Sequence, residues 1–462
     1  MRREVRRHFP LFSAGMMLTL AISGALVQAQ AVPGRSRTPG LPLSPTRRVD
    51  DTQLKQVIVF GRHSVRAPVA DNSVLNNFSA QPFPSFPVAT GLLTPNGAAL
   101  EKILGGYYRL WLTKEGLLTG DDLSDAASVY FRANVLERTI VTAQSLAAGM
   151  LPAANINVNF LGPQESDPLF DPVGAGVARL DARMAVAAVN GRLAGDPQSL
   201  TSAYAPELTL VRSILFNYPA GETPVPATPA NKIDVTAIPI EVTAGTSGAP
   251  VDIAGLSAVF GAIDPFIMEY AEGLPSAEVG WGQLSAVGLS QTARLYNLGI
   301  DLEYRTPYLA QVQSSNVASH IVRSMVQAAT GNTMTGALGN PSTKVVVLIA
   351  SDVNVCGFAG LLHIDWLVQG YPPDYCAPGG DMVFELRQSQ RTGEYMVRAS
   401  YVVQTLDQLH NKTALTLAAP PAIAPLFIPG CSVGNATFDC PLADFVKVAR
   451  HAIDPLSADL TN

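Results

Sequence analysis

The run Gln56-Val57-Ile58-Val59-Phe60-Gly61-Arg62-His63-Ser64-Val65-Arg66-Ala67-Pro68 changes character in its middle. Its first five residues are β-branched or aromatic and stop at a glycine, the pattern of a short strand buried on both faces. A polar turn with two arginines around a histidine follows at once. Further along, Thr94-Pro95 supplies a helix N-cap and a proline at the first helical position, and Leu100, Ile103, Leu104, Tyr107, Tyr108 and Trp111 recur at helical spacing. The spacing predicts a second strand over 127–133, a helix over 135–150 and a central strand over 344–350. Strands alternating with helices predict an α/β fold with a mainly parallel sheet and helices on both faces. From about 171 to 299 the pattern turns to helical runs broken by a Pro- and Thr-rich section, which reads as an inserted, mostly helical cap domain. The expected layout is a core of 51–171 and 299–462 around a cap of 172–298.

The chain has 462 residues, 47% hydrophobic and 15% charged, enough to bury a large core. Residues 1–29 join a basic start (Arg2, Arg3, Arg6, Arg7) to an apolar stretch and a small-residue end at Ala29, and read as a secretory signal; an uncleaved anchor is the alternative. Residues 30–50, rich in Pro, Arg, Ser and Gly, read as a flexible leader. Removing 1–29 takes away four Arg and one Glu, so the formal charge goes from −6 to −9. An acidic exported protein is a poor nucleic-acid binder, and any anionic ligand needs a local cluster of arginines. After signal cleavage no membrane segment remains. The sequence carries no signal for an oligomeric state. Four cysteines in an exported chain favour disulfides; three pairings are open, with Cys356–Cys376 and Cys431–Cys440 favoured because each closes a short loop.

Ligands of open parallel sheets sit at the carboxyl ends of strands, where the Arg62–Pro68 turn falls. Guanidinium forks suit phosphate oxygens, and a neutral imidazole nitrogen can attack phosphorus. A surface turn with chance basic residues is the bland alternative. Ser351-Asp352 ends the 344–350 strand, so Asp352 is a candidate proton donor facing His63, or else a plain helix cap. Arg138, within Glu137-Arg138-Thr139, completes a phosphate clamp or forms an ordinary helix ion pair.

Arg62-His63-x-x-Arg66-x-Pro68, Glu137-Arg138-Thr139 and Pro378-Gly-Gly-Asp-Met-Val-Phe-Glu385, with Leu92–Gly97, Asp167–Phe170, Gly280-Trp281-Gly282, Cys431 and Cys440 in order, resemble the bacterial histidine acid phosphatases, the group with periplasmic phytases and glucose-1-phosphatases. The resemblance runs from about 56 to 444. It implies an exported acid phosphatase acting on small phosphorylated substrates without a metal or cofactor. By resemblance His63 is the nucleophile, Asp352 the proton donor, and Arg62, Arg66 and Arg138 bind the phosphate. The family's His-Asp pair is here Ser351-Asp352, so Ser351 takes the place of a phosphate-site histidine and can donate only a neutral hydrogen bond. A weakened or inactive relative that binds phosphorylated ligands is therefore the alternative. His363, on an apolar stretch, reads as a packed structural histidine. Val69 and Ala70 are apolar where phytases of this group tend to be polar or basic, which argues for smaller esters.

Overall fold

The computed structural model describes residues 50–219, 225–246 and 248–459. The expected signal, and the leader apart from Asp50, lie outside the described residues. Among these there are ten strands: β1 (Thr52–Arg62), β2 (Val129–Ala133), β3 (Val158–Asn159), β4 (Val242–Ala244), β5 (Val251–Ile253), β6 (Val345–Ala350), β7 (Asp381–Ser389), β8 (Tyr395–Val403), β9 (Ala422–Pro425) and β10 (Cys440–Pro441). The helices of eight residues or more are α1 (Pro95–Lys114), α2 (Glu137–Met150), α3 (Ala182–Arg192), α4 (Ala205–Phe216), α5 (Ala254–Ala271), α6 (Ala286–Tyr304), α7 (Pro307–Thr330), α8 (Asp352–Leu362) and α9 (Leu442–Ala452).

The runs at 56–60 and 344–350 form β1 and β6. The run at 127–133 starts as a 3-10 turn over Ala126–Ser128 and becomes β2 at Val129. Thr94 caps α1 as its sequence predicts, its hydroxyl accepting from the Gly97 N–H. The sheet is mixed. β1, β6, β2 and β3 pair in parallel, in that order, while β7 and β8 continue antiparallel from the other flank of β1, with β9 and β10 on the outer edge of β8. Both cysteine pairs favoured by loop length are bonded, Cys356–Cys376 and Cys431–Cys440.

Every residue of β6 is buried, and its alternate side chains feed two separate cores. Val57, Val59, Val345, Val347 and Ile349 meet Leu104, Tyr108, Leu146 and Met150 of α1 and α2 on one face. Ile58, Phe60, Val346 and Leu348 meet Val317 and Ile321 of α7 and Val355 and Phe358 of α8 on the other. A sheet covered on both faces needs this continuous apolar run in its central strand. The second core continues into α4, α5 and α6 through Val211, Ile263 and Leu289. The segment between β3 and β6 holds α3 to α7 and the β4–β5 hairpin, and α6 runs across position 299.

Two facts of topology place the site. The helix after β1 packs on one face of the sheet and the helix after β6 on the other, so a crevice opens between the carboxyl ends of these neighbouring strands. Their register pairs Arg62 with Ala350, so His63 and Ser351-Asp352 leave the sheet at one level.

Candidate active site

The turn after β1 is tied down from three sides. The His63 N–H donates to the Ala350 carbonyl at 2.9 Å, the Ser64 N–H donates to the Thr142 hydroxyl of α2 at 3.1 Å, and the His63 carbonyl accepts from the Gly379 N–H at 3.1 Å. Gly379 has φ +64°, and a Cβ there would lie 2.4 Å from Glu101 Oε1, so glycine is needed for this approach.

His63 is 2% exposed, and its Nδ1 lies 2.9 Å from the Ser64 carbonyl. A carbonyl can only accept, so Nδ1 carries the hydrogen and Nε2 keeps its lone pair. Burial, then the charges of Arg62, Arg138 and Arg66, hold the imidazole well below its usual pKa and keep it neutral.

Arg62 is fully buried at the end of β1. It donates to the Cys376 carbonyl and pairs with Asp352 Oδ2 at 3.0 Å. Arg66 is held by Asp264 of α5 in a two-pronged ion pair of 2.8 and 2.9 Å. Arg138, in the first turn of α2, reaches the Gly91 carbonyl at 3.4 Å. Burial and the neighbouring Arg66 push it down to about 10, which leaves it cationic at acid and neutral pH. The buried Nε–H groups of all three arginines have no hydrogen-bond partner among the described residues. Buried donors of this kind call for an acceptor.

Ser351 is the N-cap residue of α8, and its N–H donates to the Asn354 side chain at 3.2 Å. Asp352 is the first residue of that helix. Its Oδ1 accepts from the Val353 N–H at 2.9 Å, and its Oδ2 accepts from the Tyr296 hydroxyl at 2.5 Å and forms an ion pair with Arg62 at 3.0 Å. Burial acts to raise this carboxyl, but Arg62, Tyr296, Arg66 and the Val353 N–H outweigh it and hold it below the usual range. The six residues expected from sequence thus lie at the end of β1, on the turn after it, and at the N-terminal ends of two helices, α2 and α8. Among the described residues no group of three or more His, Cys, Asp or Glu could hold a metal ion.

His363 is not packed in the core. It is exposed and caps the end of α8 at φ +53°, because the helix stops there and the chain reverses in the left-handed region. Sequence reading also missed Asp264 and Tyr296. Both lie in helices between β3 and β6 and carry no motif; only the helical spacing of Leu289, Ala293, Tyr296 and Ile300 marks Tyr296 as inward-facing.

An α/β sheet with a neutral histidine among three arginines at its switch point defines an enzyme of the histidine acid phosphatase class. The model of the histidine phosphatase superfamily (branch 2) matches residues 53–213 of this chain. The chain is similar to phytase AppA of Escherichia coli, 29% identical over 90% of this chain and 96% of the relative. It is also similar to the glucose-1-phosphatase of Providencia rettgeri, 28% identical over 95% and 99%. The solved Hafnia alvei phytase in complex with tartrate superposes with a TM-score of 0.80 at 29% identity, covering 89% of this chain and 100% of that one. The same phytase in complex with myo-inositol hexakis sulphate gives 0.77 at 28% identity, covering 89% and 100%.

Proposed function

We propose that the chain hydrolyses small phosphomonoesters outside the cytoplasm through a phosphohistidine on His63. The observation that carries this reading is the neutral His63, with Nε2 unengaged, among three guanidiniums whose buried Nε–H groups have no partner among the described residues. Arg62, Arg66 and Arg138 hold the phosphoryl oxygens, and Ser351 adds a hydroxyl beside them. Nε2 attacks phosphorus in line, the P–O bond to the alcohol breaks as the N–P bond forms, and Asp352 gives its proton to the departing oxygen. Water then attacks the phosphohistidine, returns a proton to Asp352 and releases phosphate. Negative charge spreads over the equatorial oxygens in the loose transition state, where fixed arginines stabilise it.

Because its neighbours hold Asp352 as a carboxylate, the proton must come from the medium at low pH or from the substrate. A phosphate monoester keeps its second proton below about pH 6. Its negative charge also offsets the arginines and raises Asp352 once bound. Both effects favour acid pH. The region 172–298 acts as the cap over the leaving-group side. Val69, 49% exposed just beyond the turn, fits an uncharged or apolar alcohol better than a ring of further phosphates.

Hydrolysis of p-nitrophenyl phosphate from about pH 3 to 8, beside a His63→Ala variant, tests the reading. Activity on the acid side that the substitution abolishes supports it; a maximum clearly above neutrality contradicts it. Ser351 alone favours the second reading, a relative that binds phosphorylated ligands without turnover. Phosphate binding by an inert wild type would select that one.

A further inference from the structure

The two oxygens of Asp352 are not equivalent. Oδ2 is engaged twice, accepting from the Tyr296 hydroxyl at 2.5 Å and lying in an ion pair 3.0 Å from the Arg62 guanidinium. Oδ1 accepts one hydrogen bond, from the Val353 N–H at 2.9 Å, which leaves it one lone pair. Tyr296 cannot turn away. Its ring stacks on Phe260 at 3.9 Å and 17° and meets the edge of Tyr375 at 6.0 Å, and it is 4% exposed in the wall between α5 and α6. Its hydroxyl also lies 3.4 Å from Arg62, which can only donate, so the phenol proton points to Asp352. Burial, then the Asp352 charge, keep Tyr296 protonated far above its usual pKa, so it stays a donor at every working pH.

We infer that Tyr296 is a positioning residue that reserves Oδ2 of Asp352, so that the proton delivered to the leaving group is carried on Oδ1. The inference rests on Asp352 as the proton donor. The titratable and charged groups acting on this carboxyl are Arg62 at the end of β1, Arg66 beyond it, Arg138 from α2, Tyr296 and Tyr304 from α6, and Tyr375, while Asp264 from α5 acts on Arg62 and Tyr296 beside it. Among them Tyr296 is the uncharged donor placed on Oδ2. Without its hydroxyl a lone pair of Oδ2 is free, and the proton divides between two oxygens of which one faces Arg62 and not the substrate.

The test is Tyr296→Phe, which keeps the ring and its stacking, assayed as kcat/KM for p-nitrophenyl phosphate and for an alkyl monophosphate. Nitrophenolate leaves without a proton, whereas an alkoxide needs one. General acid catalysis contributes roughly a hundredfold or more. The inference predicts that the alkyl ester loses about tenfold more than the aryl ester, so that kcat/KM falls more steeply with the pKa of the leaving alcohol. An equal loss on both esters, including complete loss, or no loss on either, overturns it. Retention of activity in His63→Ala would instead bring down the phosphohistidine reading beneath it, which keeps the two failures apart.

Discussion

Arg66 illustrates what a motif shows and what it hides. Its place four residues into the turn is readable from Arg62-His63-x-x-Arg66, but its buried partner Asp264 lies 198 residues away in an unmarked helix. A buried ion pair that loses one member leaves an uncompensated charge, which costs about 3–5 kcal/mol. Asp264→Ala is therefore expected to lower unfolding stability by that order, read from the denaturant midpoint at unchanged slope. Asp264→Asn keeps one acceptor for Arg66 and should cost less. Ser351 was legible as a departure because it sits in a two-residue pattern at a strand end. Tyr296 was not, since a tyrosine on an amphipathic helix looks like any core aromatic until its hydroxyl is seen against Asp352.

Among the elements, α1 and α2 cross on glycines. A Cβ at Gly105 would lie 2.2 Å from the Leu146 carbonyl oxygen, and one at Gly149 would lie 2.1 Å from that of Lys102. The contacts are with backbone, so no side chain can move aside. Gly149→Ala must push α2 away from α1, and α2 carries both Arg138 and the Thr142 hydroxyl that holds the Ser64 N–H. The expected outcome is weaker substrate binding, seen as a raised KM, together with a lower melting temperature; an unchanged KM would contradict it. Helix α1 was readable from its cap and spacing, and β1 and β6 from their apolar runs. The hairpin β7–β8 was not read as strands. Nearly all of β7 is buried, including Glu385 and Arg387, which pair with each other, so polar residues stand where alternation would mark a solvent face. That hairpin, with β9 and β10 on its edge, adds an antiparallel flank to the parallel core strands, which the pattern of alternating strands and helices does not show.

At the scale of the molecule, a polar layer lies under the turn after β1. Asp381 is buried, accepts from the Tyr108 hydroxyl at 2.6 Å and is pushed up by burial to about 7; Glu101, also buried, is pushed well above its usual value by burial and then by Asp381. A carboxyl that is harder to ionise in the folded than in the unfolded chain leaves stability intact below about pH 4 and withdraws it as pH rises through the folded pKa. For Asp381 that window runs from about 4 to about 7. The neutral His63 and His320 act in the opposite sense below about 6.5, so the clean readout is a difference between variants. Asp381→Asn should match the wild type in stability near pH 4 and exceed it near pH 8 by a few kcal/mol, at about 1.4 kcal/mol per pH unit. Equal pH dependence in the two proteins would contradict this.

The account turns on His63 as the phosphoryl acceptor, and the direct measurement is to catch it. Wild-type protein mixed with p-nitrophenyl phosphate, quenched within one turnover and cut into peptides under alkaline conditions that preserve phosphohistidine, should carry one phosphate on His63, absent in His63→Ala. Phosphate on another residue, or none while nitrophenol is released in full, would contradict it.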